Sequence, residues 1–159
     1  MRIEVQTRVA GAPAQPRVRR ILGRAAREAR AAGADALTAA GAREAREVSV
    51  LFCADTRMRS LNRRYRGKDK TTDVLAFPAG DASRGFLGDI VISVPYAARE
   101  ARRREESRSR EIDRLLLHGF LHLMGYDHET DEGQMDALEG RLRRRLGLAA
   151  AAARARRRR

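Results

Sequence analysis

The chain has 159 residues, enough for one domain with a sizeable core, and its 34 basic against 21 acidic residues leave a net charge of +13. No stretch approaches the ~20 apolar residues needed to span a bilayer, and the N-terminus lacks the apolar segment of a secretory signal. The single cysteine, Cys53, rules out an internal disulfide, so a reducing cytoplasm is the expected setting, with no membrane partner. Lys68 and Lys70 are the only lysines. Five arginines crowd the last six residues, and the cationic surplus before them still points to a polyanionic partner, nucleic acid above all. The plainer alternative is a merely basic surface.

Ile3, Val5, Thr7 and Val9 alternate with polar neighbours as one face of a strand. Pro16 suits a helix start, and Val18, Ile21, Leu22, Ala25 and Ala29 recur at helical spacing up to Gly33. Residues 34–46 are small and polar and give no firm reading. The run Val48 to Ala54 is apolar on both faces, which predicts a central strand, with Cys53 a buried core residue before a thiol ligand.

Asp55 or Thr56 is expected to cap the next helix, whose Met58, Leu61 and Tyr65 share a side and which Gly67 ends. A polar connection through Lys68 and Lys70 leads to a short strand from Val74 to Phe77, stopped by Pro78. Residues 80–85 are turn-like, and Leu87 to Ser93 form another strand. Pro95 opens a solvated helix expected to reach about Arg108. From Glu111 to Met124 apolar residues surround the helix, which predicts burial. A last helix, starting near Thr130 or Asp131 and closed by Gly147, should bury Met135, Leu138, Leu142 and Leu146. These elements read as one domain over residues 1–148, followed by a flexible Ala/Arg-rich basic tail over 149–159 that frays or binds phosphates.

All three histidines fall within eleven residues, His118, His122 and His128. Residues four apart project from one helix face, so His118 and His122 can grip one ion. Gly125 stands where the helix must end, and a left-handed turn there returns His128 as a third ligand. Three nitrogens leave a fourth position open, the arrangement of a catalytic rather than a structural zinc site. Two imidazoles on an apolar helix also need partners, and a shared ion satisfies both. The HxxxHxxGxxH spacing matches metzincin peptidases, but they carry Glu directly after the first histidine as general base, and here that residue is Gly119.

Residues His118 to His128 resemble the signature of the YbeY endoribonucleases, the rRNA maturation factors. Leu61 to Asp69 with Thr72 to Pro78 is similar to a second block of that family, and Leu87 to Ser93 to a third, in the same order, covering most of residues 48–146. Thr71 and Ala76 depart from the family, standing where proline and serine are common, and the first is expected to loosen the loop after Lys70. The resemblance implies an α+β fold, a small mixed β-sheet with packed helices, in a zinc-dependent hydrolase-like single domain with one Zn2+ on the three histidines. It implies cleavage of single-stranded RNA, maturation of ribosomal RNA (the 3′ end of 16S rRNA), and ribosome quality control. It also places the family's functional arginine at Arg66.

A guanidinium gives phosphate planar paired donors, so Arg66 is the candidate phosphate clamp; the alternative is an ion pair with Asp69 or Asp73. Arg63, Arg64, Lys68 and Lys70 cluster beside it and are candidates to track the RNA backbone. Asp127 either orients a histidine ligand or caps the last helix. Asp89 reads as a strand-end structural residue before a base. Tyr126 reads as packing over the turn before stacking on a nucleobase. Water and the ribose 2′-OH both remain open as nucleophile. The competing class is a non-catalytic, zinc-stabilised rRNA-binding factor of ribosome assembly.

Overall fold

The computed structural model describes residues 1–33, 47–80, 85–128 and 130–149; the reading of 34–46, most of the 80–85 turn, and the tail from 150 lie outside them. The elements are β1 (Arg2–Thr7), α1 (Gln15–Ala31), β2 (Glu47–Cys53), α2 (Asp55–Arg66), β3 (Val74–Pro78), β4 (Phe86–Ser93), α3 (Val94–Arg103), α4 (Arg108–Leu123) and α5 (Gln134–Arg145). The strands form one sheet in the order β1-β2-β4-β3, in which β1, β2 and β4 run parallel and β3 runs antiparallel to β4 at the edge. The fold is the expected α+β arrangement, and β2 is interior, as its two-sided apolar run requires.

Alternation along the strands sorts side chains between two faces. Ile3 and Val5, Val48, Val50 and Phe52, and Ile90 and Ile92 join one core with α1, α4 and α5. Cys53, Leu75 and Val91 face the other way and meet Met58 and Leu61 of α2. α4 is the spine of the larger core: Leu116, Leu117, Phe120 and Leu121 are fully buried, each worth about 1.5–3 kcal/mol of apolar burial. Gly119 lets α4 sit close on the sheet, because a Cβ there would lie 2.9 Å from Ile90 Cγ2 and 3.4 Å from Val74 Cγ2.

Three helix boundaries differ from expectation. α2 has Ala54 as its N-cap with no side-chain cap. Asp55 instead accepts hydrogen bonds from Ser93 Oγ (2.6 Å), Arg99 Nη1 (2.7 Å) and Thr71 Oγ1 (3.4 Å). Ser93 and Arg99 come from β4 and α3, which chain order does not reveal. The bond from Thr71 also ties the loop that the loss of proline was expected to loosen. The helix opened by Pro95 stops at Arg103 rather than near Arg108, in a turn where Glu105 takes φ 53°. Glu105 N–H bonds to Arg102 O (3.2 Å) and Glu106 N–H to Ala101 O (2.9 Å), closing the helix without the usual glycine. Ser107 then caps α4. α5 begins at Gln134 rather than near Thr130, because the Asp131 carboxylate accepts from the N–H groups of Gly133 (2.8 Å) and Met135 (2.9 Å). Met135, Leu138, Leu142 and Leu146 are buried as expected.

Candidate metal centre

His118 and His122 occupy the last turns of α4, which ends over the β3 edge of the sheet. Gly125 at φ 89° reverses the chain: its N–H bonds to His122 O (3.0 Å) and that of Tyr126 to Leu121 O (3.2 Å), the paired bonds of a Schellman turn. The turn returns His128 to the other two rings, with centroids 5.6 Å from His118 and 5.5 Å from His122. One ring nitrogen of each histidine lies within 4.8 Å of the other two. The Nε2 atoms of His118 and His122 are 3.2 Å apart, close to the ~3.3 Å separation of two nitrogens each about 2.05 Å from one tetrahedral ion.

The donor set fits a cation. Burial, followed by the neighbouring His118, holds the His122 imidazole below its ordinary proton affinity, with Asp127 acting in the opposite sense. His118 Nδ1 lies 3.3 Å from Glu139 Oε2. An ionised carboxylate accepts only, so a hydrogen bond at this contact is one that the ring donates from Nδ1. Burial pushes the Glu139 carboxyl up, but hydrogen bonding with His118 and the Arg143 charge outweigh it and hold it below its ordinary value. The Nε2 atoms of His118 and His122 thus converge on one point, and neutral imidazoles there would meet the electronic requirement for metal ligation.

The histidines open into a cleft of about 360 Å³ whose walls include Asn62, Arg66, Lys68, Lys70, Asp73 and Asp127. Asn62 Nδ2 donates to Lys70 O (2.8 Å), and Lys68 N–H bonds back to Asn62 O (3.3 Å), which fixes the 68–70 segment at the rim. Of the residues expected beside Arg66, Lys68 and Lys70 line this cleft, whereas Arg63 and Arg64 do not. Arg64 lies over the Tyr65 ring, 5.4 Å from its centroid. Of the two alternative partners for Arg66, Asp69 receives Arg59 through two bonds of 2.9 and 2.7 Å. Asp73 accepts from Val74 N–H (2.8 Å) and Thr72 Oγ1 (3.1 Å).

Asp127 sits beside the histidines, and the α5 cap falls to Asp131 and Gly133. Asp89 points to the opposite sheet face, into a groove with Gln6, Ser49 and Tyr65, away from the histidines. Tyr126 packs against the main core. Cys53 takes no part: burial pushes its thiol up to about 11, so it stays protonated. At residue 119, where metzincins carry their base, a Cβ would lie 2.9 Å from Ile90 Cγ2, so the position is crowded against the sheet. Glu139 was not singled out in the sequence. Its signal was available, for it shares the stripe of Met135, Leu138 and Leu142, where an apolar residue belongs.

A small α+β domain with three histidines at a basic cleft therefore defines the class. The family described as Endoribonuclease YbeY matches residues 18–147, and the chain belongs to that family. The chain is 48% identical over 134 residues to Endoribonuclease YbeY of Anaeromyxobacter sp. (strain Fw109-5), covering 82% of this chain and 69% of that one. It is 44% identical over 118 residues to Endoribonuclease YbeY of Geobacillus thermodenitrificans (strain NG80-2), covering 66% and 76%. A solution structure of a Thermotoga maritima protein shares the fold with a TM-score of 0.56 at 22% identity, over 89% of this chain and 86% of that one. Among the described residues, no helix is long and apolar enough to cross a membrane.

Proposed function

We propose that this chain is a metal-dependent endoribonuclease that cuts single-stranded RNA in the cytoplasm, acting in rRNA maturation at the 3′ end of 16S rRNA and in ribosome quality control. Residues 1–148 carry the activity in this reading, and the ribosome or its small subunit presents the substrate. Membership of the family and the names of the curated relatives support the nuclease activity. The observation that carries the mechanism is the cleft in which His118, His122 and His128 share walls with Arg66, Lys68 and Lys70. One zinc ion held by the three histidines would supply Lewis-acid charge relief and acidify water to a pKa of about 7.

The chain's own residues do the rest. Arg66 offers planar donors to the non-bridging oxygens of the scissile phosphate and keeps its charge throughout. Lys68 and Lys70, held at the rim by Asn62, meet adjoining phosphates as point charges. Arg63 and Arg64 lie outside the cleft, where they would meet RNA only beyond it. Asp127 orients the histidine cluster. No carboxylate follows His118, so the nucleophile is either water or the neighbouring 2′-OH. The product ends distinguish them: a 2′,3′-cyclic phosphate reports the 2′-OH.

The test is cleavage of an unstructured RNA oligonucleotide with and without chelator, beside His118→Ala and Arg66→Ala purified folded. Chelation and His118→Ala should abolish cutting, and zinc should restore the chelated wild type. Arg66→Ala should lower the rate by about 10²–10³-fold, the range for loss of one charge-stabilising donor, at unchanged zinc content. Full activity in His118→Ala refutes the mechanism. RNA binding without cleavage by the zinc-loaded wild type would leave a non-catalytic assembly factor.

A further inference from the structure

We propose that Glu139 is the positioning residue of the metal centre: its carboxylate fixes the proton of His118 on Nδ1 and thereby aims Nε2 at the ion. The inference rests on His118 being a metal ligand. Glu139 comes from α5, 21 residues beyond His118, and its side chain is 7% exposed. Its Oε2 faces His118 Nδ1 at 3.3 Å, and its Oε1 accepts from Arg143 Nη2 at 2.7 Å.

A solvent-facing Glu–Arg pair one turn apart on a helix is worth only about 0.3–0.5 kcal/mol and has no need of burial. Here the carboxylate lies in the core-facing stripe of α5, between Leu138 and Leu142, where an apolar side chain would meet no desolvation cost. Burying a carboxylate is unfavourable unless each oxygen is partnered. Both oxygens are: one by the cation on the same helix, the other by the imidazole on α4.

The contact with the imidazole decides the chemistry. A neutral imidazole carries one N–H, and the bond made by one ring nitrogen determines what the other can do. In the neutral ring, a proton held at Nδ1 by the Glu139 carboxylate leaves the lone pair on Nε2, and Nε2 is the atom 3.2 Å from its counterpart on His122. Without Glu139 the ring could rotate or carry its proton on Nε2, and that form cannot bind a cation there. Partners of this kind raise a ligand's basicity, and their loss typically weakens metal binding by about 10–100-fold. The same contact joins α5 to the centre, so occupancy of the site and docking of the last helix should favour one another.

The experiment measures zinc affinity by competition with a chromophoric chelator for the wild type, Glu139→Ala, Glu139→Gln and Arg143→Ala. In parallel, the His118 tautomer is read from ring ¹⁵N shifts of the metal-free proteins, with circular dichroism as the folding control. Glu139→Ala should lose about 10–100-fold in affinity and show His118 as a tautomer mixture. Glu139→Gln, which keeps a neutral acceptor, should lose less and retain more of the Nδ1–H form. Arg143→Ala should stay within a few-fold of wild type. If Glu139→Ala does not fold, Glu139→Gln decides: unchanged affinity with unchanged tautomer overturns the proposal. So does a folded Glu139→Ala that binds zinc within twofold of wild type, or a wild type with its His118 proton on Nε2. A zinc-loaded wild type that failed to cut RNA would sink the nuclease reading and leave these affinities and shifts untouched.

Discussion

Replacing Gly119 by alanine should destabilise the protein, although alanine is the better helix former. The new Cβ would meet Ile90 Cγ2 at 2.9 Å and Val74 Cγ2 at 3.4 Å, where carbon pairs prefer about 3.5–4.0 Å. Ile90 is fully buried, and its methyl sits on a β-branched carbon with a stiff χ1, so relief requires α4 to lift off the sheet. Overpacking of this kind costs about 1–3 kcal/mol. The helix-propensity gain from Gly to Ala returns about 1 kcal/mol, leaving a net loss of about 0–2 kcal/mol. Two helical glycines provide controls. Among the described residues, a Cβ at Gly23 in α1 meets only Arg27 Nη1 at 3.8 Å, and one at Gly140 in α5 only Arg144 Nη1 at 3.6 Å. Alanine at either should stabilise by about 1 kcal/mol. Urea unfolding of the three variants in chelator at neutral pH compares them directly. Because residue 119 adjoins His118, the same variant should also bind zinc more weakly. A Gly119→Ala protein as stabilised as Gly23→Ala would refute the close-packing account.

Two further outcomes follow from charge. In chelator-treated protein the folded His122 resists protonation, its affinity lowered chiefly by burial, while the unfolded chain takes up that proton near the ordinary 6.5. Stability should therefore be highest above pH 6.5 and fall as pH drops from there toward the folded value. The urea midpoint should be lower at pH 5.5 than at 7.5, with a smaller difference in His122→Gln; an equal difference in that variant would contradict the assignment. Arg17 grips Asp113 through two bonds of 3.0 and 2.6 Å, joining α1 to α4, and the two side chains are 35% and 4% exposed. Arg17→Ala strands a buried carboxylate and should cost about 2–4 kcal/mol, whereas Asp113→Ala leaves an arginine that can turn to water and should cost less. The reverse order in thermal or urea unfolding would show that packing dominates.

Much of the centre was legible because its residues are local. His118 and His122 share a helix face through a spacing of four, and Gly125 marks the reversal that returns His128; three bonded neighbourhoods along eleven residues contain the geometry. The strands were legible for a similar reason, since alternation in β1 and the two-sided apolar run of β2 state which faces are buried. The boundaries were less so. No glycine announces the end of α3, because Glu105 adopts the left-handed conformation under the closing bonds of Glu105 and Glu106. Asp55 has the residue type of a helix cap, yet its carboxylate is drawn to Ser93 and Arg99.

Sequence alone determined the element types, the three imidazoles on one turn-and-return, and a cationic surplus suited to a polyanion, because periodicity, spacing and charge are properties of the chain itself. Tertiary structure decided which cations face the histidines. Lys68 and Lys70 reach the cleft while Arg63 and Arg64 turn away, although all four lie within eight residues. It also decided that Glu139 of a later helix meets His118, and that residue 119 is crowded against the sheet. Those outcomes depend on how α4 seats between the sheet and α5, a contact between segments distant in sequence.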